Sequence, residues 1–158
     1  MENVEHKASF LKNEFVKTLS SINPEMKGLW GKMNVQQMVE HMSFSFRQAN
    51  GKDKYSLLTP EENVAKAQAF LMTDKPFREN TPNAIIGENT IPEKNASIAD
   101  ALNELQTEIN DFFALFDAQP DAVITNPFFG DLNYEMWVQL LHKHSLHHLR
   151  QFGITTNP

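Results

Sequence analysis

Four of the chain's six histidines crowd into residues 142–148, HKHSLHH, and a fifth, His41, stands alone upstream in QQMVEHM. Imidazole binds transition metals, moves protons near neutral pH, or sits buried and hydrogen-bonded. His144 and His148 are four residues apart, a spacing that on a helix lets both rings face one ion. The chain has no cysteine, which excludes disulfides, thiolate zinc sites, cysteine nucleophiles and iron–sulfur ligation. A metal held here uses nitrogen and oxygen donors. Neutral imidazole suits Zn²⁺, Ni²⁺, Cu²⁺ or Fe²⁺, whereas Mg²⁺ and Ca²⁺ want oxygen. Other chemistries find less support. Ser145 adjoins His144, but no strand–turn–helix elbow presents it as a nucleophile. HExxH is absent, and NPFFGD carries one glycine and no following Lys-Ser/Thr, so it is no phosphate loop.

Helices must position these rings, and the apolar spacing supplies them. Ala8, Leu11, Phe15, Leu19 and Ile22 recur at three- and four-residue steps, predicting a helix over about residues 4–21. Pro24, Gly28 and Gly31 then break the pattern. Asn34 is placed to cap a second helix over 35–49, which ends at the Asn50-Gly51 turn signal. Thr59-Pro60-Glu61-Glu62 reads as cap, first-turn proline and first-turn acids of a shorter helix ending near Met72. Residues 73–96 hold three prolines and no sustained period, the character of a lid or binding loop. Ser97 with Asp100 has the spacing of a capping box for a long helix to about Asp117. A last helix runs over about 133–151 and stops at Gly153. Nothing alternates long enough to predict a sheet. The expected class is all-α: a four-helix bundle with an additional short helix and a long irregular loop, one domain over 1–158.

A helix turns about 100° per residue. With Trp137 at zero, Leu141, His144, His148 and Phe152 all fall within about 60° of it, in the expected buried stripe. His147 lies on the shoulder. His142 is expected mostly outside, with Gln139, Lys143 and Arg150 on the opposite face. On the second helix, Met38, Met42, Ser45 and Ala49 form the stripe and His41 flanks it, while Glu40, Ser43 and Arg47 face away. An inward imidazole needs a hydrogen-bond partner or a metal, or forfeits about 1–3 kcal/mol. His41 could thus complete a trigonal face with the His144/His148 pair, or all three could be satisfied core histidines.

The net charge of −6 and the lack of a Lys/Arg block argue against nucleic acid or an anionic membrane as partner. MENVEHKASF has charges where a secretory signal needs an apolar core, and no stretch reaches spanning length, so the expected compartment is the cytoplasm. The phenylalanines 112, 113, 116, 128 and 129 read as core rather than a base-stacking platform.

His41, the His144-x-x-x-His148 pair and Gln151 together resemble the DinB-like superfamily, which includes the YfiT-like metal-dependent hydrolases. LWGKMNVQQMVEHM (29–42) and NPFFGDLNYEMWVQLLHKHSLHHLRQFG (126–153) resemble a bacterial subfamily of it. The resemblance implies a four-helix bundle, often a homodimer, with one divalent transition metal (zinc, nickel or iron) held by His41, His144 and His148 at the mouth of a pocket. His142 and His147 have no counterpart in that triad, and Gln151 matches a recurring glutamine read as structural or as a partner to a ligand. Three histidines leave a coordination position free, as catalytic sites do. Such an ion acidifies water or a thiol, and some DinB-like relatives transfer a low-molecular-weight thiol. With no cysteine of its own, this chain would take the thiol as cosubstrate. The expected function is a metal-dependent enzyme acting on a small molecule by thiol transfer or hydrolysis. The alternative is a non-catalytic metal- or ligand-binding stress-response protein.

Overall fold

The computed structural model describes residues 2–79 and 91–156. Residues 80–90, the middle of the expected irregular loop, lie outside the described residues. Among those described, the chain forms helices α1 (Glu2–Asn13), α2 (Phe15–Ser20), α3 (Val35–Ala49), α4 (Glu61–Leu71), α5 (Ile98–Ala118) and α6 (Tyr134–Gln151). A small hairpin of β1 (Ile124–Asn126) and β2 (Gly130–Leu132) stands between α5 and α6. No helix among the described residues is long and apolar enough to cross a membrane.

The expected helices are present, with informative differences at their ends. The first is split at Glu14, whose φ of −126° leaves the helical region. Thr18 Oγ1 donates back to the Glu14 carbonyl at 2.9 Å, a contact that bends helices. Asn34 caps α3 as expected: it accepts from Gln37 N–H at 2.8 Å, and Gln37 Oε1 accepts from Asn34 N–H at 2.9 Å. Thr59 does not cap α4. Its hydroxyl donates instead to the Phe128 carbonyl at 2.7 Å, tying the helix entrance to the hairpin. At α5 only half of the capping box forms, with Ser97 Oγ accepting from Asp100 N–H. Asn133 caps α6, and Gly153 follows it at φ +82°.

The hairpin corrects the expectation that no sheet forms. Its strands are three residues each, paired antiparallel with Ile124 opposite Leu132, too short for alternation to register in a sequence window. Turn chemistry makes it instead. Asn126 Oδ1 accepts from both Phe128 N–H (2.8 Å) and Phe129 N–H (3.0 Å). Gly130 sits at φ +78°, where a Cβ would lie 2.9 Å from Val64 Cγ1.

α3 packs most extensively on α5, and α1 on α6; α6 also touches α3, α4 and β2. Phe15, Met38, Met42, Phe46, Leu105, Ile109, Phe112 and Trp137 are fully buried between them. Each such side chain contributes about 1.5–3 kcal/mol on leaving water. Because α6 has neighbours on several sides, its outer face is not outside. Gln139, His142 and Lys143 are all buried, contrary to the expected exposed face. Lys7 Nζ donates to Gln139 Oε1 at 2.7 Å. Lys143 Nζ donates to the carbonyls of Thr73, at 2.8 Å, and of Lys75. The His142 ring meets Phe10 edge-on, 5.6 Å between centroids. The face of α3 expected to point away is likewise covered: Ser43 is buried, Arg47 bonds Glu108, and Glu40 bonds the backbone at 94–95.

Candidate metal centre

His41 enters from α3, and His144 and His148 from successive turns of α6. His144 Nε2 lies 3.0 Å from His41 Nε2 and 2.9 Å from His148 Nε2. One ligand atom from each ring falls within 4.8 Å of the others. Two nitrogens at ~2.0–2.1 Å from one zinc ion, at angles between about 90° and 109°, stand about 2.9–3.4 Å apart. The spacing fits donors that share an ion.

Protons do not account for the same spacing. His144 Nε2 carries either one hydrogen or one lone pair, yet it has two close nitrogen neighbours. Hydrogen bonding therefore completes at most one of the two contacts well. Charging the rings is no remedy. Burial, then the neighbouring His147, pushes His41 down to about 4. His144 and His148 are held well below the usual imidazole range by burial and then by the other histidines of the cluster. Neutral imidazoles with converging ring nitrogens are what a divalent cation requires.

Contacts behind the rings orient them. His148 Nδ1 lies 2.8 Å from Gln151 Oε1. The Gln151 amide cannot be turned around, because its Nε2 donates to the Trp30 carbonyl at 2.9 Å. An amide oxygen only accepts, so His148 carries its hydrogen on Nδ1 and presents a bare Nε2 to the cluster. The backbone from Gly28 to Gly31 wraps Gln151 closely, with Leu29 N–H donating to the Gln151 carbonyl at 2.7 Å. Gly31 has φ +76°, and a Cβ there would lie 2.8 Å from Gln151 Nε2. His144 Nδ1 is 3.2 Å from Ser45 Oγ, one turn beyond His41 on α3. His41 Nδ1 is buried with no hydrogen-bond partner among the described residues.

The cluster lines a cavity of about 890 Å³ whose walls include Trp30, Phe44, Phe77, Phe128 and Phe129. The Phe77 ring meets the rings of His144 and His147 edge-on at 6.2 and 6.1 Å. Several charged groups at the cavity are already engaged. Arg47 grips Asp53 through Nε (2.8 Å) and Nη2 (3.1 Å). The Glu40 carboxylate accepts from the N–H groups of Lys94 and Asn95 at 2.8 Å each. Burial alone would raise the Glu40 pKa, but these and further hydrogen bonds outweigh it and hold the carboxyl below its ordinary value.

All three expected ligands thus meet. His147 lines the cavity beside them, its ring 5.0 Å from His148 and 5.4 Å from Trp30, and burial followed by the Arg150 charge pushes it down to about 4. His142 lies apart on the face toward α1; burial and then Lys7 bring it to about 4. Sequence reasoning placed Ser45 on the right stripe without giving it a role, though its position four residues after His41 was the available signal. It missed the Trp30 carbonyl and Phe77 altogether. Gly28 and Gly31 mark the first; nothing in the sequence marks the second.

Neither a curated protein nor a solved structure matches the chain. A family profile described as the DinB superfamily matches residues 29–152. That span begins at the loop around Gln151, takes in all three clustered histidines and ends beside Gly153: the chain belongs to the DinB superfamily.

Proposed function

We propose that this protein is a divalent-metal-dependent enzyme acting on a small molecule, with His41, His144 and His148 as ligands. The contacts α1–α6, α6–α3, α3–α5 and α5–α1 close a ring and support a four-helix bundle as its scaffold. The observation that carries the reading is the convergence of three imidazoles, with His148 Nε2 and His41 Nε2 at 2.9 and 3.0 Å from His144 Nε2, beside a cavity of about 890 Å³. A metal ion bound there would supply Lewis acidity toward a thiol or a water. The protein's own part is orientation. Gln151 and Ser45 aim two rings, and aromatic side chains line the cavity beside them.

Between the two reactions, the engaged carboxylates favour thiol transfer. Hydrolysis wants a general base within reach of water. Glu40 is spent on backbone N–H groups and Asp53 on Arg47. A thiol cosubstrate, acidified on arrival, needs no such base. The same engaged carboxylates support a second reading, a metal-bearing binding protein without turnover.

Metal analysis comes first: the wild type should hold stoichiometric metal, and His41→Ala and His148→Ala should each lose it. Metal-loaded protein is then incubated with thiol–electrophile pairs and with ester and amide libraries. Turnover abolished by His148→Ala supports the enzyme. Stoichiometric metal with no His148-dependent product in either panel favours the binding protein, and wild type without metal refutes both.

A further inference from the structure

Among the described residues, the charged side chains that line the cavity are Lys32, Arg47 and Lys94 against Glu40, Asp53 and Glu104. Two pairs cancel directly. Arg47 grips Asp53 at 2.8 and 3.1 Å, and Lys94 Nζ donates to Glu104 at 2.9 Å. The Glu40 carboxylate is occupied by the N–H groups of Lys94 and Asn95 and by the Asn95 amide. Lys32 is different: its ammonium has neither a hydrogen bond nor an ion pair among the described residues. The side chain is exposed, at the rim of the cavity. Its backbone is fixed on both sides. Gly31 precedes it at φ +76°, the Trp30 carbonyl accepts from Gln151 Nε2 at 2.9 Å, and the Asn34 capping box follows. Lys32 Cα therefore lies within about 7 Å of Trp30 Cα, and the Trp30 ring packs 5.4 Å from that of His147. A lysine on an untethered loop would say little; this one stands on backbone tied to the residue behind His148.

The cavity wall is unsatisfied as well. His147 Nδ1 and the Ser43 hydroxyl, on residues 8% and 2% exposed, have no hydrogen-bond partner among the described residues. Buried polar groups are rarely left unmatched, which points to a ligand with polar atoms rather than a wholly apolar one. Its charge follows from the site. A divalent ion held by three neutral imidazoles keeps its full charge, and the lining side chains, balanced in sign, do not cancel it. A cleft with such an excess concentrates anions. We propose that Lys32 pairs with a carboxylate of the ligand. The substrate class is a small organic acid, its anionic group at the rim by Lys32 and its body along Trp30 and Phe77 toward the histidines. This rests on reading the histidines as the reactive end. The carboxylate belongs either to the thiol cosubstrate or to the molecule that the thiol attacks.

The test uses the full chain, zinc-loaded and chelator-treated, and two probe series of graded length: mercaptoalkanoates and phenylalkanoates, each acid paired with its uncharged amide. Calorimetry on wild type should show at least one acid binding more tightly than about 1 mM and more tightly than its amide. Lys32→Gln should weaken that acid by about two- to fivefold, the range of an exposed ion pair, and leave the amide unchanged. Zinc content and melting temperature should also hold, since the ammonium has no partner to lose. Lys32→Glu should weaken the acid further, Lys32→Arg should bind it as wild type does, and added salt should narrow the gap between wild type and Lys32→Gln. A Lys32 effect confined to the mercaptoalkanoates puts the carboxylate on the thiol; one confined to the phenylalkanoates puts it on the other substrate. The proposal is overturned if no acid in either series saturates, if Lys32→Gln binds the acids as wild type does, or if it weakens the amides equally. Zinc content keeps the two readings apart: a wild type that holds no zinc overturns the metal centre, while the phenylalkanoates still read the Lys32 contact on the chelator-treated protein.

Discussion

Gln151→Met tests the metal centre through a residue that would not touch the metal. Of the three rings, His148 has the firmest outer contact, 2.8 Å to Gln151 Oε1; His144 has a longer one, 3.2 Å to Ser45 Oγ. Removing an outer hydrogen bond of this kind weakens metal binding by about 10–100-fold, or about 1.4–2.7 kcal/mol. The longer Ser45 contact sets a smaller effect for Ser45→Ala, below about tenfold. Gln151→Met also strips partners from His148 Nδ1 and the Trp30 carbonyl, which should lower folding stability by about 1–3 kcal/mol. Gln151→Glu separates the two effects. It keeps an acceptor for His148 but sets a carboxylate against the Trp30 carbonyl, so zinc affinity should hold while stability falls. The assay is a zinc titration against a chromogenic chelator, with urea unfolding of the metal-free proteins alongside. His142→Leu is the control, a buried imidazole of the same helix outside the cluster, and its zinc affinity should match wild type. If Gln151→Met binds zinc as wild type does while His148→Ala has lost it, the outer contact does not orient the ligand and the reasoning fails.

Other consequences are as direct. Gly31→Ala should destabilise the fold by about 1–3 kcal/mol and weaken zinc binding, because its Cβ would press on Gln151 Nε2 from a backbone at φ +76°; urea melts and the same titration check it. Glu108, 5% exposed, takes hydrogen bonds from Arg47, Asn50 and Lys52. Burial alone would raise its pKa, but those bonds hold it below 4.5 on balance. A depressed carboxyl stabilises the fold fully above its unfolded value and loses that contribution as pH falls through the folded one. Glu108→Gln should thus cost about 2–3 kcal/mol at neutral pH, and the gap to wild type should narrow in urea melts below pH 4.5. Lys143→Met removes the donor to Thr73 and Lys75, so trypsin should cut the segment around Lys75 and Arg78 faster, read as a cleavage rate in native buffer.

The site was legible where it shares its period with the core. His144 and His148 fall in phase with Trp137 and Leu141, and His41 flanks Met38 and Met42, so the apolar stripes that bury α3 and α6 also aim the imidazoles inward. What escaped lacks any such period. The hairpin depends on one asparagine and one glycine within a few residues. The second buried face of α6 is made of Gln139, His142 and Lys143, whose polarity reads as solvent-facing. Its burial depends on partners remote in sequence: Lys7, Phe10 and the carbonyls of Thr73 and Lys75. Hydrophobic periodicity reports a dry face; it is blind to a face buried by matched hydrogen bonds.

That polar face is part of the site's construction. Lys143 holds the backbone at Thr73 and Lys75 from the back of α6, with its ammonium 4.6 Å from the centre of the Phe70 ring. Two residues beyond Lys75, Phe77 comes round to the other side of the helix and lays its ring against His144 and His147. One helix therefore carries two imidazoles on one side and anchors part of the cavity wall that covers them on the other. A charged residue is suited to that anchor. An ammonium that must find carbonyls accepts few positions for the segment, whereas an apolar side chain would tolerate many. The cost is visible in Lys143 itself, whose pKa is lowered by burial and then by the nearby Lys7 charge. The same buried cation thus joins the segment that carries Phe77 to the helix that carries His144 and His147.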